Sequence, residues 1–263
     1  MKLRRLFAVV VGVLVIEGVA LTGISFISSE NKVYGGTETE LAEGSKRIEG
    51  REDDGTEEKK DRSGQGEQEA RNIYKKNKEL LVLVNKEKEL PEHYNASLRT
   101  ICSGRLQASK KLYDPLVDML EDASEEGYHY WIASAWRSRE KQQKLVDEDV
   151  RAAMQKGMSQ KQALKEAYKE TMPAGHSEHE TGLALDILCA GNMTMDQTQE
   201  REPGNTWLRK NSWKYGFILR YPKDKKPVTG INYEPWHFRY VGKKAAAYMH
   251  KHDLTLEEFW EKL

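Results

Sequence analysis

The stretch Ser177-Glu178-His179-Glu180-Thr181-Gly182-Leu183-Ala184-Leu185-Asp186 (SEHETGLALD, residues 177–186) decides how the rest of the chain is read. Leu183 to Leu188 is a short apolar run that reads as a buried strand. Asp186 sits inside it, and an ionised carboxylate in an apolar strand is costly unless it is paired or bound to a metal. His179 precedes it in the same segment. A second histidine with informative neighbours, His237, closes the segment Glu234-Pro235-Trp236-His237.

Working outward from this segment, Tyr128–Ala135 (YHYWIASA) is aromatic and β-branched enough for a strand, and Leu80–Val84 (LLVLV) reads as another. Phe217–Tyr221 and Tyr233–Tyr240 supply two more, the latter entered through Pro235. Helical spacing of Leu112, Leu116, Met119 and Leu120 predicts a helix over 106–126, stopped by Gly127. Further helices are predicted from Ser138 to about Lys156, from Ser159 (a good N-cap) to Glu170, and from Gly204 to Tyr215, with Gly216 as the stop. The pattern predicts an α+β fold: a small antiparallel sheet flanked by helices over residues 73–263.

The first 27 residues differ from everything after them. Lys2, Arg4 and Arg5 precede the 22-residue apolar run Leu6–Ile27, broken by one charge, Glu17. That length crosses a hydrocarbon core of ~30 Å as a helix. The basic flank predicts a cytoplasmic N-terminus and an exported remainder, hence a single-pass anchor at the cell membrane. The alternative is a signal peptide, cleaved to leave a secreted protein. Residues 28–72 are rich in glycine and mixed charge and nearly devoid of apolar groups, which predicts a disordered spacer.

Composition removes several function classes. Forty-two basic and 42 acidic side chains cancel, so nothing argues for a nucleic-acid partner. Two distant cysteines, Cys102 and Cys189, make neither a disulfide framework nor a thiolate zinc site; they read as buried thiols, with a single bridge between them the alternative in an oxidising compartment. Any metal must then be held by histidine and carboxylate. His179, Asp186 and His237 form such a set, and two imidazoles with one carboxylate suit one catalytic Zn2+ with a position left for water. The same set admits other divalent ions. Glu234, three residues before His237, is the candidate proton carrier. Arg137, in Ser134-Ala135-Trp136-Arg137-Ser138, is the candidate for steadying a negative oxygen in a tetrahedral intermediate.

These motifs in this order (SxHxxGxAxD, then ExxH, with an upstream SAWRS) resemble the VanY-type D-alanyl-D-alanine carboxypeptidases, within a fold group that includes the hedgehog signalling domain. The resemblance runs from about Leu81 to the C-terminus and includes Tyr215-Gly216-Phe217-Ile218 and Arg220-Tyr221-Pro222. It implies zinc ligands at His179, Asp186 and His237, a catalytic glutamate at Glu234 and a carbonyl-binding arginine at Arg137. It also implies substrate contacts at Ser177 and Gln142. Ala135-Trp136 stands where the family often has Gly-Tyr, and Ala174 where it often has proline, which affects the pocket lining rather than the reaction. The implied substrate is a peptidoglycan stem peptide ending in D-Ala-D-Ala. An L,D-carboxypeptidase on tetrapeptide stems, a crosslink-cleaving endopeptidase and a non-catalytic zinc-bearing wall-binding domain remain alternatives. The sequence carries no signal for oligomeric state.

Overall fold

The computed structural model describes the backbone of residues 56–263. The expected membrane segment within 1–27, and the expected spacer as far as residue 55, lie outside the described residues. Among the described residues no helix is long and apolar enough to cross a membrane.

Four strands, β3 (Tyr130–Ser134), β4 (Ala184–Cys189), β5 (Phe217–Leu219) and β6 (His237–Tyr240), form a sheet in the order β3-β4-β6-β5, antiparallel throughout. A separate hairpin pairs β1 (Leu98–Ile101) with β2 (Leu106–Ser109). The period-2 alternation of the strands divides the sheet into two unlike faces. Leu185 and Ile187 of β4, Phe238 and Tyr240 of β6 and Phe217 of β5 face the main core. There they meet Leu112, Leu116 and Met119 of helix α2 (Lys110–Glu125) and Trp207 and Leu208 of α5 (Pro203–Asn211). The intervening positions Asp186, His237 and Arg239 belong to the other face, which carries the polar site. This is the α+β architecture expected, with its small antiparallel sheet.

Local signals explain most boundaries. Ser138 caps α3 (Arg139–Gln155), and Ser159 caps α4 (Gln160–Ala167) through a capping box with Gln162. The chain leaves a 3-10 turn through Gly216, whose φ of 95° suits glycine, and an added Cβ would lie 2.8 Å from the Lys243 backbone nitrogen. The short α6 (Lys226–Thr229), α7 (Lys243–His252) and α8 (Leu256–Trp260) follow.

Four expectations need correction. Residues 106–109 are β2 rather than the first turn of a helix, because Ser109 accepts from the Lys111 N–H and so starts α2 later. Residues 80–84 form no strand among the described residues: Leu80 and Leu81 turn back on Asn77, whose carbonyl accepts from both N–H groups, and 82–84 are irregular. Their carbonyls are taken by side chains instead: Leu80 and Val82 accept from Arg239 Nη2, and Leu81 from Trp260 Nε1. Helix α1 (Thr56–Asn77) occupies part of the expected spacer. Its few apolar residues are placed at helical spacing: Ala70 and Ile73 are buried in a second cluster with Leu81, Val241, Tyr248, Met249 and Phe259, and Tyr74 packs against it. Tyr248 donates to the Gly66 carbonyl and Arg71 to that of Leu263, fixing the helix further. Both cysteines are free, and only Cys189 is buried while Cys102 is exposed.

Replacing Ile73, 7% exposed, with alanine should therefore destabilise the domain by about 2–4 kcal/mol. Urea unfolding monitored by tryptophan fluorescence checks this. A midpoint equal to wild type would mean that α1 does not pack on the domain in solution.

Candidate metal centre and catalytic site

Register brings the site together. On the central strand β4, Asp186 lies directly opposite His237 of β6 and opposite Ser134 of β3. An irregularity between Ile132 and Ser134 re-aims the end of β3 beside the site. His179 arrives from the 3-10 turn Glu178–Thr181, which ends at Gly182 in a left-handed conformation (φ 71°) so that the chain can enter β4. His237 is set by the turn before it: its N–H reaches the Glu234 carbonyl at 3.3 Å, and Pro235 rigidifies the corner. Asn205 Nδ2 donates to the Pro235 carbonyl at 2.7 Å and anchors that turn to α5.

One ligand atom from each of His179, Asp186 and His237 lies within 4.8 Å of the others, and all three residues are buried. His179 donates Nδ1–H to the Ala135 carbonyl at 2.7 Å, which leaves Nε2 facing Asp186 Oδ2 at 3.2 Å. His237 Nδ1 faces Asp186 Oδ1 at 3.0 Å. The three groups predicted as ligands therefore converge on one point. Their chemistry, two imidazole nitrogens and one carboxylate oxygen, fits a single zinc ion.

The electrostatics call for positive charge at that point. Burial works against the charge on Asp186, but His179 and His237 outweigh it and hold the carboxyl well below its usual range. Burial also disfavours a charged His237, yet hydrogen bonding with Asp186 and Glu178 and the charges of Asp186 and Glu234 raise the imidazole to about 10. Without metal, the site gathers a proton where a cation would sit.

Glu234 Oε2 is 3.8 Å from His237 Nδ1, and its side chain keeps 19% of its exposure. Burial is the main cause that lifts this carboxyl to about 7, against the charge of His237 and with help from Asp186. Arg137 is half-buried at the edge of the site, with its N–H on the His179 carbonyl. Its Nη1 donates to Gln142 Oε1 at 2.8 Å and its Nη2 to Ser134 Oγ at 3.0 Å. It also lines a cleft of about 350 Å³ with Leu90, Tyr94, Trp136, Arg139 and Glu180.

The two expected substrate contacts fare differently. Ser177 is buried at the start of the 3-10 turn. Gln142 has both ends of its amide engaged, Oε1 by Arg137 and Nε2 by the Met172 carbonyl at 2.6 Å. It holds Arg137 in place rather than presenting a free group to a ligand. His176 bonds to the Asn85 carbonyl and His129 lies 3.4 Å from Ser124 Oγ, so neither joins the centre. Sequence reading missed Asn205, Glu178, Arg220 and Arg239. Only the charge of Arg220 and Arg239, set among apolar and aromatic neighbours, could have drawn attention to them; Glu178, in the polar run SEHET, gives no such signal.

Comparison with known proteins agrees with this geometry. The family model described as D-alanyl-D-alanine carboxypeptidase, VanY, matches residues 105–243. The putative carboxypeptidase YodJ of Bacillus subtilis is 37% identical over 194 residues, 70% of this chain and 68% of the relative. A D-alanyl-D-alanine carboxypeptidase of Enterococcus faecalis is 37% identical over 179 residues, 68% of this chain and 65% of the relative. Among solved structures, a zinc-bound mutant of the D,D-pentapeptidase VanY from a VanB-type resistance cassette superposes with a TM-score of 0.61 at 36% identity, covering 69% of this chain and 99% of that one. The LD-carboxypeptidase LdcB gives 0.61 at 35% identity, covering 70% and 86%.

The proton held by His237 makes the metal-free domain sensitive to alkali. Its folded value, about 10, lies above the ordinary 6.5, so this contribution is complete below pH 6.5 and is lost as pH rises toward 10. Urea unfolding in chelator should show stability falling across that window, and His237→Gln should flatten the fall. An equally steep decline in the variant would contradict the assignment.

Proposed function

Because the chain belongs to the VanY family of D-alanyl-D-alanine carboxypeptidases, we propose that it is a zinc hydrolase that cleaves the C-terminal D-Ala-D-Ala bond of peptidoglycan stem peptides and releases D-alanine. The observation that carries this reading is the opposed pair Asp186–His237, completed by His179 Nε2 and bordered by a half-buried Glu234. His179, Asp186 and His237 would hold the ion. Once bound, zinc supplies Lewis acidity, polarising the scissile carbonyl and lowering the pKa of water.

The remaining work falls to two side chains. Glu234 lies beside the ligands and still reaches solvent, so it takes the proton from the attacking water and delivers it to the departing amine. A carboxyl raised toward neutrality by burial suits both halves of that transfer. Arg137 spends one N–H on Gln142 and one on Ser134. Of a guanidinium's five donors, that leaves three for a ligand oxygen. Held from two sides, it is aimed before substrate arrives, and its charge stabilises the oxygen that becomes negative as the carbonyl is attacked.

Similarity to LdcB supports a second reading on the same machinery, removal of the terminal D-alanine from a tetrapeptide stem. The proposed substrate supports an extracytoplasmic location. Peptidoglycan stems lie outside the cytoplasmic membrane, and residues 6–27 have the length and basic flank of a single-pass anchor that would hold the domain there. Cleavage of that segment would make the enzyme a secreted one.

D-alanine release should be followed from a pentapeptide ending in D-Ala-D-Ala and, separately, from the tetrapeptide, each with and without chelator. The D,D reading predicts chelator-sensitive release from the pentapeptide, and release from the tetrapeptide alone would replace it with the L,D reading. Glu234→Gln should lower kcat by about 10²–10⁴-fold with zinc still bound, and Arg137→Ala by about 10²–10³-fold. A fully active Glu234 variant would remove it from the mechanism.

A further inference from the structure

Behind His237, on the side away from Asp186, lies a carboxylate that the proposed mechanism does not use. Glu178 is 2% exposed, and its Oε2 faces His237 Nε2 at 3.5 Å. Among the described residues neither atom has any other partner, and both are fully buried. Such atoms are rarely left unpaired in folded proteins.

The way Glu178 is held shows that this oxygen is kept free of the arginines. Its Oε1 accepts from Arg220 Nε at 2.8 Å and from Arg239 Nη1 at 2.9 Å. Glu257, in the same buried network, uses both of its oxygens on Arg220, at 2.8 and 2.6 Å. That two-pronged pairing is the favourable way for a carboxylate to meet a guanidinium. Glu178 instead takes both cations on one oxygen and turns the other to the imidazole edge. Arg239 is in turn fixed by the Leu80 and Val82 carbonyls, so the carboxylate has little freedom to move.

We propose that Glu178 is the positioning residue of the metal centre: it accepts the Nε2 proton of His237, so that Nδ1 offers its lone pair toward Asp186 and His179. The inference rests on the zinc reading above. The two imidazoles are then oriented by different means. His179 is fixed by the neutral Ala135 carbonyl, whereas His237 is fixed by an anion, which also makes it a stronger donor. Arg220 and Arg239 keep that anion charged and in place without occupying its working oxygen.

The test compares Glu178→Gln with Glu257→Gln in the full chain. The second change breaks the same ion network without touching His237. Zinc affinity, read by competition with a chromophoric chelator, should fall about 10–100-fold in Glu178→Gln. In Glu257→Gln the melting temperature should fall while zinc affinity stays at the wild-type value. Unchanged affinity in Glu178→Gln, or an equal loss in both variants, would overturn the positioning role. Should Glu178→Gln fail to fold, nitrogen-15 NMR of the zinc-loaded wild type decides the matter. A slowly exchanging proton on His237 Nε2 is expected, and a proton on Nδ1 would refute the proposal. A wild-type chain that takes up no zinc would refute the zinc reading instead, which keeps the two failures apart.

Discussion

A carboxylate taken out of water onto a protein sheet carries a desolvation penalty of several kcal/mol, and only well-placed opposite charge offsets it. Asp186 is 4% exposed on the central strand, and what surrounds it follows from that constraint. Antiparallel register places His237 directly across from it, and the turn before β4 brings His179 to its other oxygen. The two faces of the sheet divide the labour. Phe238 and Tyr240 join the apolar core, while His237 and Arg239, alternating with them on the same four-residue strand, serve the site. A one-residue slip of β6 would bury the ligands in the core and turn the aromatics toward the cleft.

A second buried polar system stands behind the first. Arg220, Arg239, Glu178 and Glu257 form a group in which two positive and two negative side chains cancel. It ties the C-terminal helix α8, the segment 80–84 and strand β6 to the back of the metal centre. Removing one member leaves an uncompensated charge in a dry interior, a loss far larger than that of an exposed pair. The network explains how segments distant in sequence can set the orientation of one imidazole without touching the cleft.

Much of this could be read from the sequence, because the informative residues break local rules. Asp186 in an apolar strand, and Pro235 before His237, mark the site without any structure. Ser159 and Gly216 mark the ends of elements by the chemistry of capping and of positive φ. The misses have a common cause in tertiary contacts that override local pattern. Residues 80–84 have strand composition, yet side chains rather than a strand take their carbonyls. Helix α1 has too few apolar residues to be noticed, but Ala70 and Ile73 are enough once a complementary cluster receives them. Gln142 illustrates a subtler limit: its position in the motif was readable, whereas its engagement by both Arg137 and the Met172 carbonyl was not. Glu178 stood within the quoted motif, and only the fold shows which of its oxygens is free.

The zinc site proposed here is a single ion held between adjacent strands. Zinc-edge X-ray absorption on the purified chain, after removal of loosely bound metal, tests it most directly. One zinc per chain is expected, with nitrogen and oxygen neighbours at about 2.0–2.2 Å, two of them imidazoles, and loss of that signal in His237→Ala. Sulfur neighbours at about 2.3 Å, or an unchanged spectrum in the variant, would place the metal elsewhere.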